Sequence, residues 1–169
     1  GVSDWNRLYG PRGLHQHQSV VPFEAARETI PAMFDAARVA GQGSFLTVLK
    51  RFGDVPSPGL MSFPRAGYTL TLDFPNRGAS TLALLDRLDA ITVHAGGAVN
   101  PYKDARMAAA TFARSFPNWS LLEAMRDRET VSAILAVVIH LGERSTHAAV
   151  EAYASSKADL VHGSADPMA

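Results

Sequence analysis

The sequence has no cysteine, no excess of charge and no long apolar run. Without cysteine there is no disulfide framework and no thiolate chemistry, which fits a cytoplasmic protein. Sixteen basic residues against sixteen acidic ones leave no electrostatic footprint for nucleic acid or an anionic membrane. The longest apolar run, residues 133–139, is far too short to cross a bilayer, and no signal peptide is visible. No glycine-rich loop stands at a helix start to cradle a pyrophosphate. What is present amounts to 169 residues, about one domain with room for a core. The chain opens at Gly1 and runs at once into SDWNRLYG without an initiating methionine, which reads as a cut through a larger protein.

The pattern along the chain alternates between period two and period 3.6. Ser3 or Asp4 can cap a short turn over 5–8. LHQHQSVV (14–21) reads as a strand ended by Pro22. Residues 23–41 have helical composition with Gly41 in the C′ position, and Pro31 inside them is expected to kink or split the helix. SFLTVLKRFG (44–53) is a second strand, and 54–67 is a loop punctuated by Pro and Gly. YTLTLDFP (68–75) is the clearest strand, with Leu70, Leu72 and Phe74 alternating with Thr69, Thr71 and Asp73. An amphipathic helix follows over 80–95, with Leu82, Leu84, Leu85, Leu88 and Ile91 on or near one stripe. Gly96 and Gly97 stop it, and 98–102 supplies a short fourth strand. The order β-α-β-β-α-β predicts an α+β, ferredoxin-like antiparallel sheet, with first and third strands central and both helices on one face.

That order assigns the faces. Leu70, Leu72 and Phe74 should meet the helices, and Thr69 and Thr71 should look outward. In the first strand, Gln16 and Gln18 point one way while His15, His17 and Ser19 point the other. In the second, Leu46, Val48, Lys50 and Phe52 share one face and Phe45, Thr47, Leu49 and Arg51 the other; pattern does not choose between them.

DWNRLYGPRG, QHQSVVP, GSFLTVLKRFG, MSFP, LTLDFPN and AGGAVNPYKDAR occur in one order over residues 3–126. Together they resemble the C-terminal part of FAD-dependent sugar and aldonolactone oxidases of the vanillyl-alcohol-oxidase superfamily. Each motif is weak alone; the ordered set is specific. The resemblance implies that 1–102 is the substrate or cap domain of a flavoenzyme and that 103–130 returns to the FAD domain. It implies that Gln16 and Gln18 face flavin and substrate, that Lys50 and Phe52 line the pocket, and that Lys103 is the catalytic lysine. Thr69, Thr71 and Asn100 stand at pocket positions but depart from the family, Asn100 replacing a usual aromatic. FAD belongs to the full-length parent, whose missing N-terminal domain is the implied partner, and is not expected on this chain. His15, His17 and Ser19 fall on the helix side, where the family tends to apolar residues.

The blander readings stand beside these. His15-x-His17 could be a metal pair, but no carboxylate or cysteine cluster supports it, and no metal is expected. Lys50 and Lys103 could be solvated lysines, and Phe52 could be core. Asp104 and Arg106 fit a structural ion pair or a helix cap better than catalysis. Residues 131–169 lie outside the family pattern. Their strand–turn–helix rhythm faintly resembles the opening of a short-chain dehydrogenase, yet only Gly142 falls in the turn, so a packed helical tail is the better reading.

Two functions follow from different classes. One is the substrate-binding fragment of an FAD-dependent oxidoreductase that oxidises a sugar or sugar-lactone carbinol by hydride transfer to flavin, inactive alone. The other is a non-catalytic ferredoxin-like module that binds a small ligand or dimerises through its open face. Gln16, Gln18, Lys50, Thr69 and Thr71 look like a ligand wall rather than the lysine-poor centre of a dimer interface, which favours the first. The polar face, lacking its partner domain, should be solvated, covered by Ile134, Leu135, Val137 and Val138, or buried in a homodimer.

Overall fold

The computed structural model describes residues 10–104 and 106–125. Four strands and four helices follow in the order β1 (Leu14–Val21), α1 (Phe23–Val39), β2 (Thr47–Phe52), β3 (Gly67–Pro75), α2 (Ala79–His94), β4 (Ala98–Val99), α3 (Ala109–Ser115) and α4 (Trp119–Ala124). The sheet runs β2-β3-β1-β4 with every pair antiparallel, so β1 and β3 are central, as the ferredoxin-like order requires.

The register settles which residues share a face, because residues directly opposite in a ladder project to the same side. Gln16 lies opposite Asp73, Gln18 opposite Thr71 and Val20 opposite Thr69. Val48 and Lys50 lie opposite Thr71 and Thr69, so β2 turns Val48, Lys50 and Phe52 to this same open face. On the other face Leu70, Leu72 and Phe74 are buried with Met33 and Ala37 of α1 and Leu84, Leu85 and Leu88 of α2.

Two details of the helices differ from the sequence reading. Pro31 does not split α1, which runs unbroken from Phe23 to Val39. Pro31 and Arg27 are both exposed, so the carbonyl left without its donor lies on the solvent side, where water can satisfy it. On α2 the buried stripe is Thr81, Leu84, Leu85, Leu88, Asp89 and Thr92, while Leu82 is exposed. A carboxylate therefore sits in a row of core positions. Helix α1 ends as expected, with Gly41 at φ +64 and the Gln42 and Gly41 N–H groups donating to the Ala37 and Arg38 carbonyls.

A second apolar cluster covers one end of the open face. It joins Val20 and Ala98 to Phe63 from the β2–β3 connection and to Met107, Phe112 and Phe116, with Phe52, Met61 and Trp119 packed against it. Arg65 ties the connection to α3: its guanidinium donates to the Ser115 carbonyl at 3.0 Å and lies 5.5 Å from the Phe116 ring centroid. Gly97 permits the close approach of α2's end to β1, since a Cβ there would stand 2.4 Å from the Val20 carbonyl oxygen. The expected cover from 131–138, the helical tail and the turn at 5–8 lie outside the described residues. Among the described residues, no helix is long and apolar enough to cross a membrane.

Candidate functional site

The open face carries the polar residues in two groups. In the first, the Gln16 side-chain amide donates to Asp73 Oδ1 at 2.7 Å. In the second, Gln18 donates through Nε2 to Thr69 Oγ1 at 3.2 Å and accepts through Oε1 from Asn100 Nδ2 at 2.7 Å. Asn100 reaches Gln18 because it prolongs the β4 ladder, its backbone N–H donating to the Gln18 carbonyl.

A cleft of about 720 Å³ opens beside the second group. Gln18, Asn100 and Phe52 form its floor on the sheet side, and residues 59–64, Tyr102 and Leu122 wall it. Phe52 stands edge-on to Phe63, ring centroids 6.2 Å apart. Phe52 thus both packs in the second core and lines the cleft. An apolar cavity with a few convergent neutral amides is the usual composition of a small-molecule site.

The sequence-predicted residues divide accordingly. Gln18, Phe52 and Asn100 come together in the cleft. Gln16, Lys50, Thr69 and Thr71 share the face but are not among the residues lining the cleft. Lys50 is exposed, and Thr69 is buried beneath its neighbours. Lys103 is exposed in the turn after Pro101. Met61, Phe63 and Tyr102 line the cleft without having been singled out. Their signal was faint: MSFP sits in a loop whose aromatic has no strand or helix face to fill.

Beneath the helices lies the explanation for the histidines. His17 is fully buried, and its Nε2–H donates to Asp89 Oδ1 at 3.1 Å. The Arg106 guanidinium grips the same carboxylate with two bonds of 2.8 and 2.9 Å. Asp104 instead accepts the Gln16 backbone N–H at 2.6 Å and lies 3.7 Å from His15 Nδ1. Arg106 thus makes a structural ion pair, with Asp89 and not with Asp104, and the two residues anchor separate elements, Asp104 on β1 and Arg106 on α2. Ser19 places its hydroxyl 4.0 Å from the Met33 sulfur. No three His, Cys, Asp or Glu side chains gather into a metal-holding group among the described residues.

Burial pushes the His17 imidazole below its ordinary value near 6.5, against the opposing pull of Asp89. Burial acts to raise Asp89, but the hydrogen bonds from His17 and Arg106 and the guanidinium charge outweigh it and hold the carboxyl below its usual range. The unfolded chain therefore takes up protons before the folded one does. Stability should fall as pH drops below about 6.5, by up to ~1.4 kcal/mol per pH unit for His17, with a further loss below the ordinary carboxylate range as Asp89 is protonated. Urea midpoints measured from pH 8 to 5 check this. A His17→Gln variant should show a flatter acid limb; an unchanged slope would remove His17 as its source.

Fold and cleft together define a class: an α+β domain with a four-stranded antiparallel sheet, α1 and α2 on one face and a cleft on the other. Over 114 residues, 68% of the chain, it is 38% identical to decaprenylphosphoryl-beta-D-ribose oxidase of Mycolicibacterium smegmatis. Over 92 residues it is 40% identical to an uncharacterized protein in the mprA 5′ region of Streptomyces coelicolor. The chain spans about a quarter of the length of these relatives, 24% in each case. No family model matches it. The resemblance to the sugar oxidases read from the motifs is borne out by the first of these similarities.

Proposed function

We propose that this chain is the substrate-side part of an FAD-dependent oxidoreductase that oxidises a sugar or sugar-lactone carbinol. The observation that carries the reading is the cleft on the open face, where Gln18 and Asn100 present neutral amides among Phe52, Met61, Phe63 and Tyr102. Similarity to an oxidase over 68% of the chain supports it. The donor set fits a flavin in the parent protein: Gln16 and Gln18 offer amides and Lys50 a cation on one flat face, suited to the polar edge of a heteroaromatic ring. FAD would supply the hydride acceptor. The residues of this chain would orient the carbinol through neutral hydrogen bonds and exclude water with the aromatic walls. Lys103, in the turn beside Asp104, would place a positive charge near the reacting oxygen or the flavin edge. In this reading residues 1–102 cap the site and 103–130 lead back to the flavin-carrying domain.

The test uses the full-length parent and single-turnover flavin reduction. Lys103→Ala should slow reduction by an amount equivalent to about 2–4 kcal/mol at the transition state, with the fold intact by circular dichroism. Unchanged reduction kinetics would remove Lys103 from the mechanism. A parent that holds no flavin would overturn the oxidoreductase reading itself.

A further inference from the structure

The orientation of the Gln18 amide is set by a relay of groups that each have one role to play. It starts at the Tyr102 backbone N–H, which can only donate, 3.0 Å from Asn100 Oδ1. The other end of Asn100 is then its NH₂ group, so the Gln18 atom 2.7 Å away must be the acceptor, Oε1. What remains is the Gln18 NH₂ group, and one of its hydrogens goes to Thr69 Oγ1. Asn100 is placed for this by its backbone bond to the Gln18 carbonyl at 2.8 Å. Gln16 is oriented independently, since the Asp73 carboxylate it meets accepts and does not donate.

We infer that Asn100 is a specificity-determining residue: by locking Gln18 in one orientation, it fixes where in the cleft a ligand meets the remaining Nε2–H and where it meets the remaining lone pair of Oε1. A glutamine free to rotate about its last torsion reads a donor or an acceptor equally well. One whose two ends are anchored offers its remaining hydrogen and its remaining lone pair at fixed places. A sugar lactone, whose hydroxyls donate and accept and whose carbonyl and ring oxygens accept, matches such a fixed pair, whereas a ligand with donor and acceptor reversed meets an N–H or a lone pair head-on. The cleft sharpens this choice, because its walls are mainly apolar and leave an unmatched polar group few alternatives. The ligand class rests on the sugar-oxidising reading above; the orientation does not.

The isosteric variant Asn100→Asp separates the two. Its carboxylate still accepts the Tyr102 N–H but cannot donate to Gln18, so the glutamine must turn over, presenting NH₂ to residue 100 and Oε1 to the Thr69 hydroxyl. In isotope-labelled chain, the Gln18 Nε2 hydrogens should show nuclear Overhauser contacts to Thr69 in the wild type and lose them in Asn100→Asp. Titration with D-galactono-1,4-lactone, followed at the same resonances, should show affinity reduced on the order of tenfold or more in the variant. Thr69→Val, which keeps the Asn100 contact, should leave the wild-type orientation in place and covers the case of a variant that fails to fold. Absence of the Thr69 contacts in the wild type, or their persistence in folded Asn100→Asp, would overturn the inference. A lactone that leaves Gln18 unmoved while the orientation stands as described would overturn the ligand assignment, and with it the sugar reading, but not the lock.

Discussion

Replacing Arg106 with leucine is expected to lower the unfolding free energy by about 3–5 kcal/mol, because it strands a buried carboxylate. The Asp89 side chain is 4% exposed and that of Arg106 10%, so water does not readily substitute for the guanidinium. Loss of packing alone would be modest, since leucine fills much of the space. The cost comes from Asp89, left with His17 as its remaining partner among the described residues. This makes the pH dependence informative. With the guanidinium gone, protonated His17 can neutralise Asp89, so the acid-side loss of stability should flatten in the variant. Replacing His17, Asp89 and Arg106 together with apolar residues of similar volume should recover most of the stability, as removing a whole buried network leaves no orphan. Equilibrium urea unfolding at pH 5 and 7.5 checks all three outcomes. A drop below 1 kcal/mol for Arg106→Leu, on the scale of an exposed pair, would mean that Asp89 is solvated in the folded state.

Phe74→Ala should cost a similar amount, about 3–5 kcal/mol, by opening a cavity beneath the helices. Phe74 is fully buried on central strand β3, in the core that joins Leu70 and Leu72 to α1 and α2. Phe63→Ala, in the smaller core on the opposite face, should act differently. Beside strand residues such as Phe52, its neighbours there include the connection and the short α3, so the site can collapse more freely, and its effect should appear mainly as increased hydrogen exchange in 59–65. Equal losses of global stability in the two variants would mean that both faces of the sheet unfold as one cooperative unit.

The sheet order and the faces of β1 and β3 were legible because β3 alternates cleanly, Leu70, Leu72 and Phe74 against Thr69, Thr71 and Asp73. Once those leucines meet the helices, antiparallel pairing carries the assignment to Gln16 and Gln18. Strand β2 was not legible, because both of its faces carry large apolar residues. The structure shows why: β2 is an edge strand, and Leu49, turned to the helix side, remains 55% exposed. Pro31 does not divide α1 because a proline's cost in a helix depends on whether the freed carbonyl faces solvent, which the local sequence does not state. Asp89, the partner of Arg106, escaped notice for a related reason. A carboxylate at the edge of a leucine stripe looks like the polar border of an amphipathic helix until a buried histidine and a distant arginine are found around it. His17 had been noticed without an explanation; its partner Asp89 lies 72 positions further along the chain, and the arginine that holds Asp89 further still.

The connection from β2 to β3 joins two neighbouring antiparallel strands yet takes 53–66 to do so, far more than a hairpin needs. Its middle supplies one wall of the cleft, while Gln18 and Asn100 on the floor belong to a ladder whose register does not depend on its length. Residues could be added to or removed from this connection without moving the Gln18 and Asn100 amides. Cleft size and polar recognition are thus carried by separately variable parts of the chain, so one sheet could be refitted to ligands of different bulk by changes in length here, whereas a single insertion within β1 would exchange the Gln16 and Gln18 face for that of His15 and His17.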